Sequence, residues 1–451
     1  MSLRIRLTGA CAVVLLAGCG SWGRVGSQPG TKPGETLSQV LDLNAVYRKL
    51  GRLTAGAPLP FVADVAFLAG AGDSTVAIVG VSLENRALAF QRDGDGFAAR
   101  YRVQLSAEPA AGGPAIVRSR DQVVRVTAFP ETQRGDESIL YQDGITLPPG
   151  SWRISLQLTD QVAGLSKTSR ATALYAVPAY TPGTVSAPYL AYQSRGRGTR
   201  AAPIGLILNP RGSLAYGGDT ATAYVEAYAM PGPTAVPIAL IDARDSVILT
   251  DTLRFVGGRE VESAALRFAP DSAPLGELRI RQGIGAAAES TTAVVSFSSN
   301  WVVTNFEDMV ALLRYFPDSP QLDSLRKAPV AGRSRLWKAF WRASDPNTAT
   351  PANELLDHYF TLLSVANQRY RDEGVPGWRT DRGEVLIRLG DADEVFDASP
   401  QSQGRLIRWT YTQYQLVIYF VDESGFGRYR LTPASRSEFE RVYARVSRQI
   451  Q

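Results

Sequence analysis

Gly150–Asp160 reads GSWRISLQLTD. Trp152, Ile154, Leu156 and Leu158 alternate with Arg153, Ser155, Gln157 and Thr159, a period of two that puts every apolar side chain on one face of an extended strand. The stretch ARYRVQLSAE repeats the pattern, with Tyr101, Val103 and Leu105 set against Arg102, Gln104 and Ser106. A sheet with one apolar face has to bury that face against another layer. Strands of this kind, punctuated by Asp-Gly, Gly-Gly and Pro-Pro-Gly turns, predict an antiparallel, Ig-like sandwich over 56–178.

PAYTPGTVSAP, Pro178 to Pro188, reads as a linker, and a second strand-rich block follows. It includes TATAYVEAYA and SVILTDTLRF, and predicts a second sandwich over 179–300, in series with the first. After Trp301 the period becomes helical. Thr304-x-x-Glu307 has the form of a capping box, Ser319-Pro320 suits an N-cap followed by proline, and Thr350-Pro351 opens the longest expected helix, with Leu355, Tyr359, Leu362 and Ala366 along its apolar stripe. GEVLIRL reads as a strand, followed by strands near Leu406–Tyr411, Leu416–Val421 and Tyr429–Leu431 and a last helix from Ser435. The expected C-terminal unit, 301–451, is α+β: helices and a small antiparallel sheet.

The N-terminus carries a different message. Arg4 and Arg6 precede an apolar run from Ala10 to Leu16, and Leu16-Ala17-Gly18-Cys19 resembles a bacterial lipobox. This predicts a signal peptide over 1–18 and lipidation at Cys19, with Gly20 rather than aspartate next to it favouring an outer-membrane anchor. A Gly/Pro/Ser-rich tether and a short docking helix containing Tyr47 and Leu50 would complete 19–55.

Several chemistries are thereby excluded as expectations. The only cysteines are Cys11 and Cys19, and the only histidine is His358, so the processed chain offers no disulfide, no thiolate metal site and no set of imidazole ligands. No cofactor and no metal are expected, and no catalytic constellation stands out. Arg92–Phe97, RDGDGF, lacks the later oxygen ligands of a calcium loop and reads as a hairpin turn. The formal charge of +5 is spread among interspersed acids and bases, which gives no footprint for nucleic acid. Ser194–Arg200, SRGRGTR, places Arg195, Arg197 and Arg200 in one glycine-rich loop that could grip a phosphate or sulfate, although a solvated loop at the sandwich's edge is the simpler reading.

The last informative stretch is Val375–Val395, VPGWRTDRGEVLIRLGDADEV. Glycines, Pro376 and the Thr380-Asp381 pair explain a tight turn around a buried Trp378, with the two polar side chains accepting from nearby backbone N–H groups. Its carboxylates Asp381, Glu384, Asp391 and Asp393 would be too widely spaced along a strand to share one site. Together with WTY at Trp409–Tyr411, YFVDESGFGRYRL at Tyr419–Leu431 and the upstream LWKAFWRASDPNTATPANELLDHYF, this stretch resembles the GWxTD-domain family of bacterial envelope proteins, with Gly377, Trp378, Thr380, Asp381 and Gly383 carrying the motif. Gly390-Asp391-Ala392-Asp393 departs from the family's usual Gly-Pro-Pro-Asp. The resemblance implies an exported protein or lipoprotein and supplies no catalytic residues. The expectation is a membrane-tethered binding or scaffolding module with an envelope protein or polymer as partner. A carboxylate-dependent hydrolase or glycan-binding enzyme is the competing reading.

Overall fold

The computed structural model describes residues 43–135, 137–162, 167–270, 273–298, 301–348, 350, 352–370, 375–397, 405–425 and 427–450. The signal peptide, Cys19, the tether and Gly374 lie outside them. The fold is mainly β: two sandwiches followed by an α+β unit.

In the first sandwich, β1 (Leu53–Ala55), β2 (Phe61–Ala69), β3 (Thr75–Leu83) and β7 (Ile139–Leu147) form one antiparallel sheet in the order β1-β2-β3-β7. The facing sheet holds β4 (Gln91–Asp93), β5 (Gly96–Pro109), β6 (Ile116–Val126), β8 (Gly150–Asp160) and β9 (Thr168–Val177), with β6 at an edge beside β5. Trp152, Ile154, Leu156 and Leu158 of β8 enter the core with Tyr101, Val103 and Leu105 of β5, as their alternation requires. Arg92–Phe97 forms the β4–β5 hairpin, with Gly94 at φ +62° supplying its turn.

The second sandwich pairs β10 (Thr184–Val185), β11 (Tyr189–Arg195), β12 (Gly205–Leu208), β14 (Ala221–Tyr228) and β17 (Val261–Phe268) against a second sheet. That sheet contains β13 (Ser213–Ala215), β15 (Thr234–Asp242), β16 (Val247–Phe255), β18 (Gly276–Gln282) and β19 (Glu289–Ser296), in the order β13-β19-β18-β15-β16.

The two sandwiches follow each other in sequence but are stacked face to face in space. All nine residues of β2 are buried. Ala63, Val65 and Phe67 fill the first core, while Ala66 and Leu68, with Ile78 of β3, pack on Tyr189, Ala191, Leu206, Leu208 and Tyr224 of the second sandwich. The reason is compositional: FVADVAFLA and TVAIVGVSL are apolar on both faces, the signature of a sheet covered on both sides. Close approach also matters, since a Cβ on Gly80 would sit 3.1 Å from Leu208 Cβ.

The stack solves a hydrogen-bonding problem. β1 pairs only with Phe61–Ala63, so the rest of that β2 edge would be buried without partners. Val65 N–H turns to Asp64 Oδ1 (2.9 Å), and the second sandwich supplies the partners of Phe67 and Ala69. Phe67 N–H donates to Tyr189 Oη (3.0 Å), and Phe67 O accepts from Tyr180 Oη (2.6 Å). Ala69 N–H donates to Tyr228 Oη (3.1 Å), and Ala69 O accepts from Arg197 Nη2 (2.6 Å). Tyr228 in turn donates to Glu226, whose carboxylate pairs with Arg197 at 2.8 Å, so the network closes on itself. Burial pushes the phenols of Tyr180, Tyr189 and Tyr228 well above the ordinary tyrosine range, keeping them protonated as donors. Two further buried arginines cross the same seam. Arg52 joins Asp64 (2.6 Å) and donates to Thr292 O (2.9 Å), and Arg211 donates to Ser82 Oγ (2.8 Å) near Glu84.

Helix α1 (Leu43–Lys49) sets Tyr47 and the following Leu50 among Val62, Val294 and Val302. C-terminally come α2 (Phe306–Leu312), α3 (Pro320–Arg326), α4 (Arg333–Ser344), α5 (Glu354–Arg369), α6 (Asp381–Leu389) and α7 (Pro433–Ile450), with the sheet β20 (Glu394–Asp397), β21 (Arg405–Tyr411), β22 (Leu416–Asp422) and β23 (Arg430–Leu431). Phe297, just after β19, packs on Trp337 with ring centroids 4.7 Å apart and so joins the second sandwich to the helical core.

Several local expectations are corrected here. GEVLIRL is not a strand but the body of α6. The seven residues GEVLIRL satisfy either period, and the ends decide: Thr380 Oγ1 accepts from Gly383 N–H (3.0 Å), Asp381 and Glu384 occupy the first turn, and Gly390 at φ +81° terminates it. Asn305, not Thr304, caps α2, and Asn353 caps α5, each side chain accepting from a backbone N–H three residues on. The buried stripe of α5 includes Leu356, Tyr359, Phe360, Leu363 and Ala366, leaving Leu355 and Leu362 at its margin. α7 begins at Pro433, capped by Thr432 rather than Ser435, and is longer than α5.

Two substitutions test the seam. Arg197→Ala strands Glu226 as a buried unpaired charge and should cost about 3–5 kcal/mol in urea unfolding. Tyr189→Phe leaves Phe67 N–H unsatisfied and should cost about 1–3 kcal/mol. Losses below about 0.5 kcal/mol in both would refute this account of the seam.

Candidate functional site

The motif residues form a compact knot between α5 and α6. Gly377 starts a short 3-10 turn, Gly377–Arg379, and donates its N–H to Asn367 Oδ1 (3.1 Å) on α5. Its φ is not positive; the requirement for glycine is space, because a Cβ there would overlap the carbonyl oxygens of Ala366 and Tyr370. Gly383 is constrained in the same way by the carbonyl of Gly377. Thr380 closes the knot, donating from Oγ1 to Gly377 O (2.7 Å) while accepting from Gly383 N–H. Trp378 is completely buried in the helical core, 6.3 Å from the Tyr315 ring, and its indole N–H has no acceptor among the described residues.

Asp381 faces outward from the knot to the sheet. One oxygen accepts from Leu431 N–H (2.8 Å) and the other lies 3.0 Å from Arg436 on α7. The expected short-range turn is therefore made by Thr380 alone, while Asp381 staples α6 to β23 and α7. Glu384 stands one turn later and holds Arg436 (2.8 Å) and Arg388 (3.1 Å). Burial opposes the charge on Arg436, but the hydrogen bond to Glu384 and the charges of Glu384, Asp381 and Glu440 outweigh it and hold its pKa above the ordinary arginine value. Arg382 lies between the rings of Tyr370 and Tyr429, 4.9 and 4.2 Å from their centroids. Asp391 pairs instead with Arg369, and Asp393 accepts from Thr412 N–H (2.6 Å). Asp381 and Glu384 thus meet on Arg436, because the helix sets them one turn apart where a strand would have separated them, while Asp391 and Asp393 serve separate structural contacts.

The glycine-rich arginine loop sits at the seam. Arg197 is buried and bound to Glu226, Ala69 O and Arg200 O. Arg200 donates to Gly72 O (3.0 Å) and Tyr180 O (2.6 Å), and Arg195 is exposed at the end of β11. The loop ties the sandwiches together through two of its three guanidinium groups. Sequence reasoning missed this role because the partner acid, Glu226, lies on a strand of otherwise small and aromatic residues. A lone charge within TATAYVEAYA was the available signal. His358 is exposed on α5. Among the described residues no group of three or more His, Cys, Asp or Glu could hold a metal ion, and no helix is long and apolar enough to cross a membrane.

Residues 285–445 match the family model described as the GWxTD domain. This chain carries a GWxTD domain. The match begins before β19, so the GWxTD domain as a sequence unit includes the strand that brings Phe297 into the helical core, and it ends within α7. No curated protein matches the chain. Among solved structures, the crystal structure of calcium binding domain CBD12 of CALX1.1 is 9% identical, covering 49% of this chain and 79% of that chain, at a TM-score of 0.13 that supports no argument.

The knot makes a graded prediction. Gly377→Ala and Gly383→Ala should each destabilise the GWxTD domain by at least ~2 kcal/mol, because backbone rather than flexible side chains blocks the added methyl. Gly390→Ala, with open space around it, should cost about 1 kcal/mol from its positive φ alone. Near-UV circular dichroism through thermal unfolding reads the order, and equal losses at all three positions would contradict it.

Proposed function

We propose that this is a lipid-anchored cell-envelope protein that acts by binding and scaffolding, without turnover. Supporting this reading, the motif spends its groups internally: Thr380 on Gly377 and Gly383, Asp381 on Leu431 and Arg436, and Glu384 on Arg388 and Arg436. A general acid or nucleophile needs a carboxylate available to substrate, and these are engaged with cations. The stacked sandwiches form a stiff support, and the lipobox-like Leu16–Cys19 supplies the attachment. The partner in this reading is an envelope protein or polymer, and the anchor is in the outer membrane.

Chemical crosslinking in intact cells should join the chain to a protein or polymer, and Cys19→Ala should release it from the membrane fraction. Recovery of no crosslinked species, or a Cys19→Ala form that still sediments with membranes, would remove the binding role or the anchor respectively. Turnover of a wall glycan by purified chain, abolished in both Asp381→Asn and Glu384→Gln, would replace the scaffold with a hydrolase.

A further inference from the structure

The chain over 178–187, which leads from the first sandwich into the second, leaves a space where the two meet. Phe67 of β2, Tyr180 and Val185 of this connection, Val236 of β15 and the hairpin between β18 and β19 enclose a cavity of about 650 Å³. Ile284, 78% exposed, stands at its rim. Small-molecule sites span roughly 300–1,000 Å³ and concentrate at junctions between domains, so both size and place fit one.

The walls are mainly apolar, and the polar side-chain groups left over on them are of one kind. The hydroxyl hydrogens are already committed: Tyr180 and Tyr189 donate to Phe67 O (2.6 and 3.2 Å), and Thr184 donates to Thr181 O (2.7 Å). Two acceptors remain. Gln282 is 2% exposed; its Nε2 donates to Ser186 O (3.2 Å), while its Oε1 meets no donor among the described residues. Glu289 lies directly opposite Gln282 across the β18–β19 ladder, on the face of β19 that carries Ala293 and Val295 into the core of the second sandwich.

Among the described residues Glu289 is the one charged side chain lining the cavity, and its carboxylate has no cation to pair with. Burial raises the phenols of Tyr180 and Tyr189, and the charge of Glu289 adds to that rise, so its field falls inside the cavity. A phosphate, sulfate or carboxylate would meet acceptors and a like charge here. A protonated amine would meet a carboxylate and an amide oxygen, the pairing that gives the stronger, charge-assisted hydrogen bond.

Independently of the scaffolding role above, we infer that this cavity is a binding site for a small apolar amine. Its ammonium group donates to Glu289 and to Gln282 Oε1, while its hydrocarbon or aryl body lies against Val185, Val236 and the ring of Tyr180.

Three probes of similar size separate charge from apolar contact: naphthylethylamine, naphthylethanol and naphthylacetate. Each is titrated by calorimetry into the purified chain, with the methyl groups of valine and isoleucine followed by NMR. The amine should bind at least about tenfold more tightly than the acetate and shift the methyl signals of Val185, Val236 and Ile284. Glu289→Gln should weaken the amine about tenfold, the loss of one charge-assisted hydrogen bond, with thermal unfolding unchanged. Ala287→Trp, which narrows the cavity from its exposed rim, should weaken amine and alcohol alike. No binding of the amine at millimolar concentration, an acetate or alcohol that binds as tightly, methyl shifts confined to other residues, or full affinity in Glu289→Gln would overturn the assignment.

Discussion

The architecture depends on a strand whose pairing stops too early. β1 leaves β2 after Phe61–Ala63, and the remaining edge of β2 lies at the centre of the molecule. Buried peptide groups without partners would cost more than the stacking of apolar faces could recover there. Tyr180, Tyr189, Tyr228 and Arg197 supply those partners from the second sandwich. Neither sandwich is complete alone: one brings the unpaired backbone and the other the hydroxyls. The buried Arg197–Glu226 pair fits this role, because its geometry is satisfied only when the two sheets are in register.

A similar economy governs the motif of the GWxTD domain. Its glycines mark places where three backbone segments touch, its threonine links two of them, and its tryptophan fills the space beneath. Asp381 then extends the knot to the sheet and to α7. A motif built from residues with suggestive chemistry is here largely a packing device.

Much of this was legible in the sequence. The alternation in β5 and β8 specified inward and outward faces correctly, since a period of two has one solution once a core exists. The C-terminal meander and the burial of Trp378 followed from similarly local signals. α6 was not legible from GEVLIRL, because so short an apolar run suits both periods; Thr380 and Gly390, nine residues of helix apart, contained the answer. The stacking was hinted at by two-sided apolar strands, but its partner face was not, because the tyrosines that close the β2 edge lie more than a hundred residues away. Arg197 looked like a surface group for the same reason: its acid is remote in sequence.

Tyr47 gives the N-terminal helix a mechanical meaning. It is wedged with Leu50 where β2, β19 and Val302 meet, so one residue cluster touches both sandwiches and the start of the GWxTD domain. Tension arriving along the preceding chain would be divided among three bodies at their common corner, in place of peeling a single strand from one sheet. A pull from the N-terminal side would load the whole assembly at once.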